Sequence, residues 1–306
     1  MNDHQVASIL SIAIGASGDK DRRLIEQEIA LILAEKSSVR VKLEQVDGQL
    51  ILSGDDELQL EFVTKKILEV VEVDLGEPRI NFRETIRKTS EAEGKYLRQT
   101  GGSGNYGHCW LRIEPNEPGK GYEFVNEIKG GVVPKEYIKQ IDMGVRGAME
   151  GGVLAGFPMV DVKVALFDGS YHEVDSNENA FKIAGSVAFK EAAHKTKPVL
   201  LEPVMAVEVT VPEEFMGVII GDINSRRGRI EGMEHVSGSQ VIKAMVPLAE
   251  LLRSSRYGRP QYSMRFARYE PIPSPEIGGD EAPIFAIKPR GPKPKDRSAS
   301  VRPRNE

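Results

Sequence analysis

One order of elements appears twice along this chain, and the repetition limits the folds open to it more than any single motif does. Near the start, "ASILSIAIGA" reads as a strand. "DKDRRLIEQEIALILAEKSS" follows with Leu24, Ile25, Ile29, Leu31 and Ile32 at the spacing of an amphipathic helix. "VRVKLEQ" and "QLILSG" are short strands joined through Asp47-Gly48, a dipeptide that supplies the positive φ a tight hairpin needs. "DDELQLEFVTKKILEVVE" reads as a helix whose acidic first turn suits the positive end of the helix dipole, and a last strand runs into "GEPRINFRET". The order β-α-β-β-α-β is the ferredoxin-like split unit. It returns near the C-terminus as strand "VMAVEVTVP", helix "EEFMGVIIGDINSRRG", hairpin "RIEGMEHVSG" with "SQVIKAMVP", short helix "LAELLRSS" and strand "QYSMRFARYEP".

The middle of the chain differs. Strands are expected around "GHCWLRIEP" and "YEFVNEI", a helix over "PKEYIKQIDMGVRGAMEGG", a strand at "FPMVDVKVALF" and a long helix over "SNENAFKIAGSVAFKEAAHKT". The expected class is α+β: two ferredoxin-like βαββαβ domains, 1–88 and 203–270, flank an α/β domain at 89–202. From 271 to 306 the chain is rich in Pro and Gly and ends in "KPRGPKPKDRSASVRPRNE", a basic tail that cannot bury a core and is expected to be disordered.

At 306 residues and 40% hydrophobic content, the chain can bury a sizeable core. A single cysteine, Cys109, rules out an internal disulfide framework and suits a reducing compartment. The N-terminal apolar run lacks a basic region before it and does not read as a signal peptide. No run of about 18 apolar residues exists to span a bilayer, so a cytoplasmic protein with no membrane partner is expected. The net charge of −5 argues against an indiscriminate nucleic-acid binder, although local patches decide such contacts.

The motifs are weighed against plainer readings. Gly102, Gly104 and Gly107 form a Gly-x-Gly-x-x-Gly triplet, but β-like "HCWLRI" follows where a dinucleotide site needs a helix; a hairpin-like loop is the plainer reading. No Gly-x-x-x-x-Gly-Lys-Ser/Thr occurs, so neither a nucleotide cofactor nor GTP or ATP hydrolysis by this chain alone is expected. In "FDGSYHEVDSNENAF", His172 lies among carboxylates, but Asp175 or Ser176 can cap the following helix and Glu178 can reach back to it. His4, His108, His194 and His235 are scattered, and no metal or acid–base constellation forms. What survives is Tyr171 and His172 at an exposed loop tip, where rings can stack on splayed bases. Lys182, Lys190, His194 and Lys197 spread along the next helix. Arg226, Arg227 and Arg229 gather at a helix end, where cations either complement the dipole or contact phosphate.

Longer stretches carry a family likeness. "GEPRINFRETI", "QTGGSGNYGH", "GYEFVNEIKGGVVPKEYI", "LAGFPMVDVKVALFDGSYHEVDSNENAFKIAGSVAFKEA", "KPVLLEPVM" and "GVIIGDINSRRGRIEGM" resemble the C-terminal half of elongation factor G, from about Ala7 to Tyr269. The resemblance implies domains III, IV and V, with III and V ferredoxin-like. It makes the middle domain an elongated arm reaching the decoding centre of the small ribosomal subunit. Two loops at the tip of that arm would meet the tRNA–mRNA pair. By position they contain Ser103, Gly104, Asn105 and Tyr106 in one and Ser170, Tyr171 and His172 in the other. The likeness also makes Arg226, Arg227 and Arg229 candidate rRNA contacts.

The chain departs from the family pattern in several places. The GTP-binding domain and the domain after it have no counterpart in this sequence, so the family's GTPase activity is not carried over and the chain is not expected to be an enzyme. Ser103 and Asn105 stand where the family has Arg and Gln, which removes a charge-assisted phosphate contact. "GDDELQL", with Asp55, Asp56 and Gln59, replaces Gly-Met-Gly-Glu-Leu-His-Leu. The second helix of the last domain is expected to be short, between Pro247 and Arg253. Three readings remain open: an independent ribosome-binding protein, the half of a split factor whose GTPase is a partner chain, and a decoy or regulator at the ribosomal factor site.

Overall fold

The computed structural model describes residues 8–35, 39–46, 48–100, 103–236, 238–253 and 262–273. The first unit comprises β1 (Leu10–Gly15), α1 (Asp19–Glu35), β2 (Val41–Val46), β3 (Gln49–Gly54), α2 (Glu57–Val70), β4 (Asp74–Leu75) and β5 (Arg79–Ile80). Its antiparallel sheet has the order β2-β3-β1-β4, with β5 also on β1. Alternation along β1 and β3 sends Leu10, Ile12, Ile14, Leu50 and Leu52 into the core, where Ile25, Ile29 and Ile32 of α1 and Leu60, Val63 and Ile67 of α2 meet them. Asp56 caps α2, its Oδ1 accepting from Leu58 N at 3.0 Å, and Gln59 Oε1 accepts from Arg40 N at 3.2 Å. "GDDELQL" thus has a local structural use for two of its polar residues.

The strand expected at "GEPRINFRET" is instead divided. β4 and β5 stay with the first sheet, whereas β6 (Arg83–Thr85) pairs with Val199–Leu201 at the start of β11 (Val199–Pro212), in the other ferredoxin-like sheet. Asn81 marks the break: its side chain ties to Ser8 and Ser11, and its carbonyl accepts from the Tyr269 hydroxyl. Propensity cannot show this division, because both pieces are short and extended.

The middle domain holds β7 (Ser90–Thr100), β8 (Ser103–Pro115), β9 (Glu123–Asn126), α3 (Lys135–Glu150), β10 (Val162–Ser170) and α4 (Glu178–Lys195). The sheet order is β7-β8-β10-β9, antiparallel except for the β9–β10 pair. Gly104 and Gly107 lie within β8 rather than in a loop, and 101–102 lie outside the described residues. β7 has no strong strand signal, because its buried side presents only Ala92 and Gly94. The reason is close packing: a Cβ on Gly94 would strike the Ala184 carbonyl, one on Gly107 the backbone of Ala180, and one on Gly144 the Lys182 carbonyl. α4 therefore lies closer to the sheet, and α3 closer to α4, than ordinary side chains allow. Cys109 is buried beneath them, and burial pushes its thiol pKa up to about 12.

The second ferredoxin-like unit follows β11 with a 3₁₀ turn and α5 (Met216–Ser225), then β12 (Arg229–Val236), β13 (Ser239–Pro247), α6 (Leu248–Arg253) and β14 (Tyr262–Pro271). Its order, β12-β13-β11-β14, repeats that of the first unit. α6 is six residues long, as expected, and 254–261 lie outside the described residues. So does the tail from 274 onwards. Buried residues of the two ferredoxin-like units form one continuous apolar cluster, while the middle domain has its own. The result is a three-domain α+β protein.

Glu84 of β6 joins the middle domain to the last sheet. Its side chain is wholly buried, and its two oxygens accept from the backbone amides of Val153, Leu154, Ala155 and Phe157 at 2.7–3.0 Å. The Glu84 backbone pairs with the same segment through Pro158 O and Val160 N. Four amide donors compensate for burying the carboxylate, and the loop 151–160 takes its shape around it.

Candidate functional site

The two segments singled out as tip loops meet at one end of the middle domain. The chain leaves β10 at Ser170 and folds back as a closed turn: Ser176 N donates to His172 O at 3.1 Å and His172 N to Ser176 Oγ at 2.9 Å. Asp175 is turned toward the hairpin, its Oδ1 accepting from Gly104 N at 2.9 Å and its carbonyl from Tyr106 N at 2.8 Å. A side chain at 104 would meet that carboxylate within 3 Å and push it aside, so glycine there permits the close approach. Asn177 caps α4, with Oδ1 accepting from Ala180 N at 3.0 Å, and its Nδ2 donates to Asn105 Oδ1 at 2.7 Å.

These contacts correct the expected capping pattern. The cap is Asn177, not Asp175 or Ser176, and Glu178 accepts from Gln140 Nε2 at 3.0 Å rather than being shown reaching back. The physical reason is that the hairpin offers Asp175 two amides that only a folded partner strand can supply. Asp168, Asp175 and Glu178 of this stretch thus have structural partners. Among the described residues, no group of three or more His, Cys, Asp or Glu side chains is placed to hold a metal.

The side chains then divide by exposure. Tyr106 is 8% exposed, and its ring stands edge to face with His172, centroids 4.1 Å apart. Its hydroxyl meets Ser170 Oγ at 2.7 Å, and the same Oγ meets His108 Nδ1 at 2.7 Å. Tyr171 is 43% exposed, His172 is exposed, and Val174 beside them is 86% exposed. Gly104, Asn105 and Ser170 are half-buried, and Ser103 is placed by its backbone pairing with Thr100. Of the residues expected at the tip, Tyr171 and His172 face outward, while Gly104, Asn105, Tyr106 and Ser170 hold the turn that presents them.

The arginine group has a different character. Arg226 forms a two-pronged pair with Asp222 at 2.8 and 2.9 Å. Arg227, with φ at +56°, clamps the buried Glu202 at 2.7 and 3.0 Å and reaches Glu250 at 3.0 Å. Its hydrogen bonds to Glu202 raise the guanidinium pKa above its ordinary value. Arg229 is 60% exposed and pairs with Glu231 at 3.2 Å and Glu270 at 3.8 Å. All three therefore have intramolecular carboxylate partners. The partners of Arg226 and Arg229 include nearby Asp222 and Glu231, but those of Arg227 were hidden from the sequence, because Glu202 and Glu250 stand more than 20 positions away in the chain.

Glu93, His108 and Asn177 lie around the site and were outside the residues singled out from sequence. Asn177 could have been found as a cap by its type and place; the others become visible only through strand pairing.

The chain thus places an α/β domain, in sequence, between two ferredoxin-like units that share one core. Residues 78–197 match elongation factor G, domain IV, and residues 199–277 match the elongation factor G C-terminus. A crystal structure of a protein from Thermus thermophilus is 38% identical, with a TM-score of 0.69, over 88% of this chain and 42% of that one. The chain carries domain IV and the C-terminal domain of the elongation factor G family, and it spans less than half the length of that Thermus protein.

Proposed function

We propose that the chain binds the ribosome as an elongation factor G-like protein, with its middle domain reaching the decoding centre of the small subunit. One observation carries this reading. The turn bearing Tyr171 and His172 is held beyond the sheet by five hydrogen bonds of its own segment and the hairpin. That construction presents an aromatic ring and an imidazole on a rigid support, suited to stacking on unstacked bases and to hydrogen bonding with their edges. Affinity there does not rest on accumulated positive charge, since Glu173 and Asp175 flank the rings.

The family matches lie in domain IV and the C-terminus, and the sequence has no phosphate-cradling Gly-x-x-x-x-Gly-Lys-Ser/Thr loop, so no GTP turnover is assigned to this chain. Cosedimentation with purified ribosomes tests the proposal. Binding that weakens in Tyr171→Ala/His172→Ala supports it; no binding, or binding indifferent to that change, overturns it. A second reading is that a GTPase acts in trans with this chain, whose family matches lie in domain IV and the C-terminus. Stimulated GTP hydrolysis on mixing with a candidate GTPase and ribosomes supports it. Inhibition of translocation without such stimulation points instead to a regulator at the factor site.

A further inference from the structure

Beneath the exposed turn, a line of polar side chains crosses three strands of the middle sheet. Glu93 on β7 stands opposite Trp110 and reaches diagonally across the strand pair to His108 on β8, Ser170 ends β10 opposite His108, and Tyr106 lies two residues before His108 on the same face. Ser170 Oγ is the hub, 2.7 Å from both the Tyr106 hydroxyl and His108 Nδ1. His108 Nε2 is buried. Glu93 Oε1 lies 3.0 Å from it, near enough to pair electrostatically but off the N–H axis of a well-aligned hydrogen bond.

The hydrogen-bonding capacities fix a consistent direction. A carboxylate beside Nε2 favours the proton on that nitrogen and leaves Nδ1 as an acceptor. Ser170 then donates to His108, and its lone pair accepts from the Tyr106 hydroxyl. Tyr106 is thereby held at its polar end, and its ring forms the surface against which His172 stands. Without the acceptor at His108, the serine proton has no partner on that side, and the phenol loses a fixed neighbour.

We propose that His108 is a positioning residue for the tip: through Ser170 it fixes Tyr106, and through Tyr106 the orientation of the exposed His172 imidazole. Glu93 orients the His108 ring. Neither Glu93 nor His108 needs to touch RNA for this. The part of the inference that concerns ribosome binding rests on the functional reading above; the part that concerns ring orientation does not.

The test therefore has two arms. The full chain contains five histidines, few enough for their ring-proton NMR signals to be separated and the His172 signal assigned by its loss in His172→Ala. The ring current of Tyr106 displaces that signal, and the displacement reports the contact without ribosomes. It should collapse toward the free-imidazole position in Ser170→Ala and His108→Ala. It should persist in His108→Asn, whose amide oxygen takes the place of Nδ1 as acceptor. A displacement that survives both alanine changes overturns the proposal, as does one lost equally in His108→Asn while the far-ultraviolet spectrum stays native. In the second arm, His108→Ala should weaken ribosome cosedimentation about tenfold, or 1.4 kcal/mol, with His108→Asn near the unaltered protein. If the unaltered chain does not bind ribosomes, the functional reading fails and the NMR arm alone still decides the positioning role.

Discussion

The tip of the middle domain and the arginine group of the last domain both looked like nucleic-acid contacts, yet they use their polar groups in opposite ways. At the tip, Asp175, Ser176, Asn177 and Asn105 bond to backbone and to each other, leaving Tyr171 and His172 outside. In the arginine group the cations themselves are engaged, Arg227 with a carboxylate that is almost fully buried. The difference teaches that a cluster of charge in a sequence does not measure the charge available to a partner. Availability depends on which groups the fold has already engaged, and distant carboxylates can hold an arginine by several of its N–H groups.

Four substitutions sharpen that comparison. The largest effect is expected at the joint from which the middle domain springs. Glu84→Ala removes the acceptor of four backbone amides and should cost about 4 kcal/mol in urea denaturation, with protease cleavage appearing in 151–160. Next comes Arg227→Ala, which leaves Glu202 buried without its cation. Allowing for the one-third exposure of the arginine side chain, the loss should be about 2 kcal/mol. An unchanged denaturation midpoint would show that the pair does not hold the domain together and would return Arg227 to the pool of free cations.

A smaller loss, about 1 kcal/mol, is expected for Asn177→Ala, which removes the cap of α4 and the tie to Asn105. Its sharper signature is local: amide exchange should speed up in the first turn of α4 and in the 172–176 turn, with the last domain unaffected. The smallest effect on stability belongs to Tyr171→Ala/His172→Ala, within about 0.5 kcal/mol of the unaltered protein because both side chains face solvent. The same double change should nevertheless weaken ribosome binding most. A stable protein that has lost its target is the outcome that separates this region from the arginine group.

Much of the architecture was legible in the chain. Apolar spacing in α1 and alternation in β1 and β3 marked the first unit, and the repeated element order gave the second. Two features were hidden for physical reasons. β7 carries charged residues along an edge strand, and its buried side consists of Ala92 and Gly94 because α4 packs against the bare backbone. The fate of β6 was equally obscure, since three extended residues cannot announce which of two sheets they will join.

At the site, the exposed pair Tyr171–His172 could be read from its place before a helix. The support beneath it could not. Asp175 looked like a cap because a cap was the nearest local use for it, and the amides it bonds lie about 70 positions earlier in the chain. His108 appeared as one of several scattered histidines until strand pairing set Glu93 and Ser170 on either side. Side-chain networks that cross strands are properties of register, which local sequence patterns specify only in part.

The most direct measurement of the central claim is chemical footprinting of small-subunit rRNA in ribosomes saturated with the protein. The expected result is protection of decoding-region bases that disappears with Tyr171→Ala/His172→Ala and survives Arg229→Ala. Protection confined to the large subunit, or decoding-region protection unchanged by the tip substitutions, would contradict it.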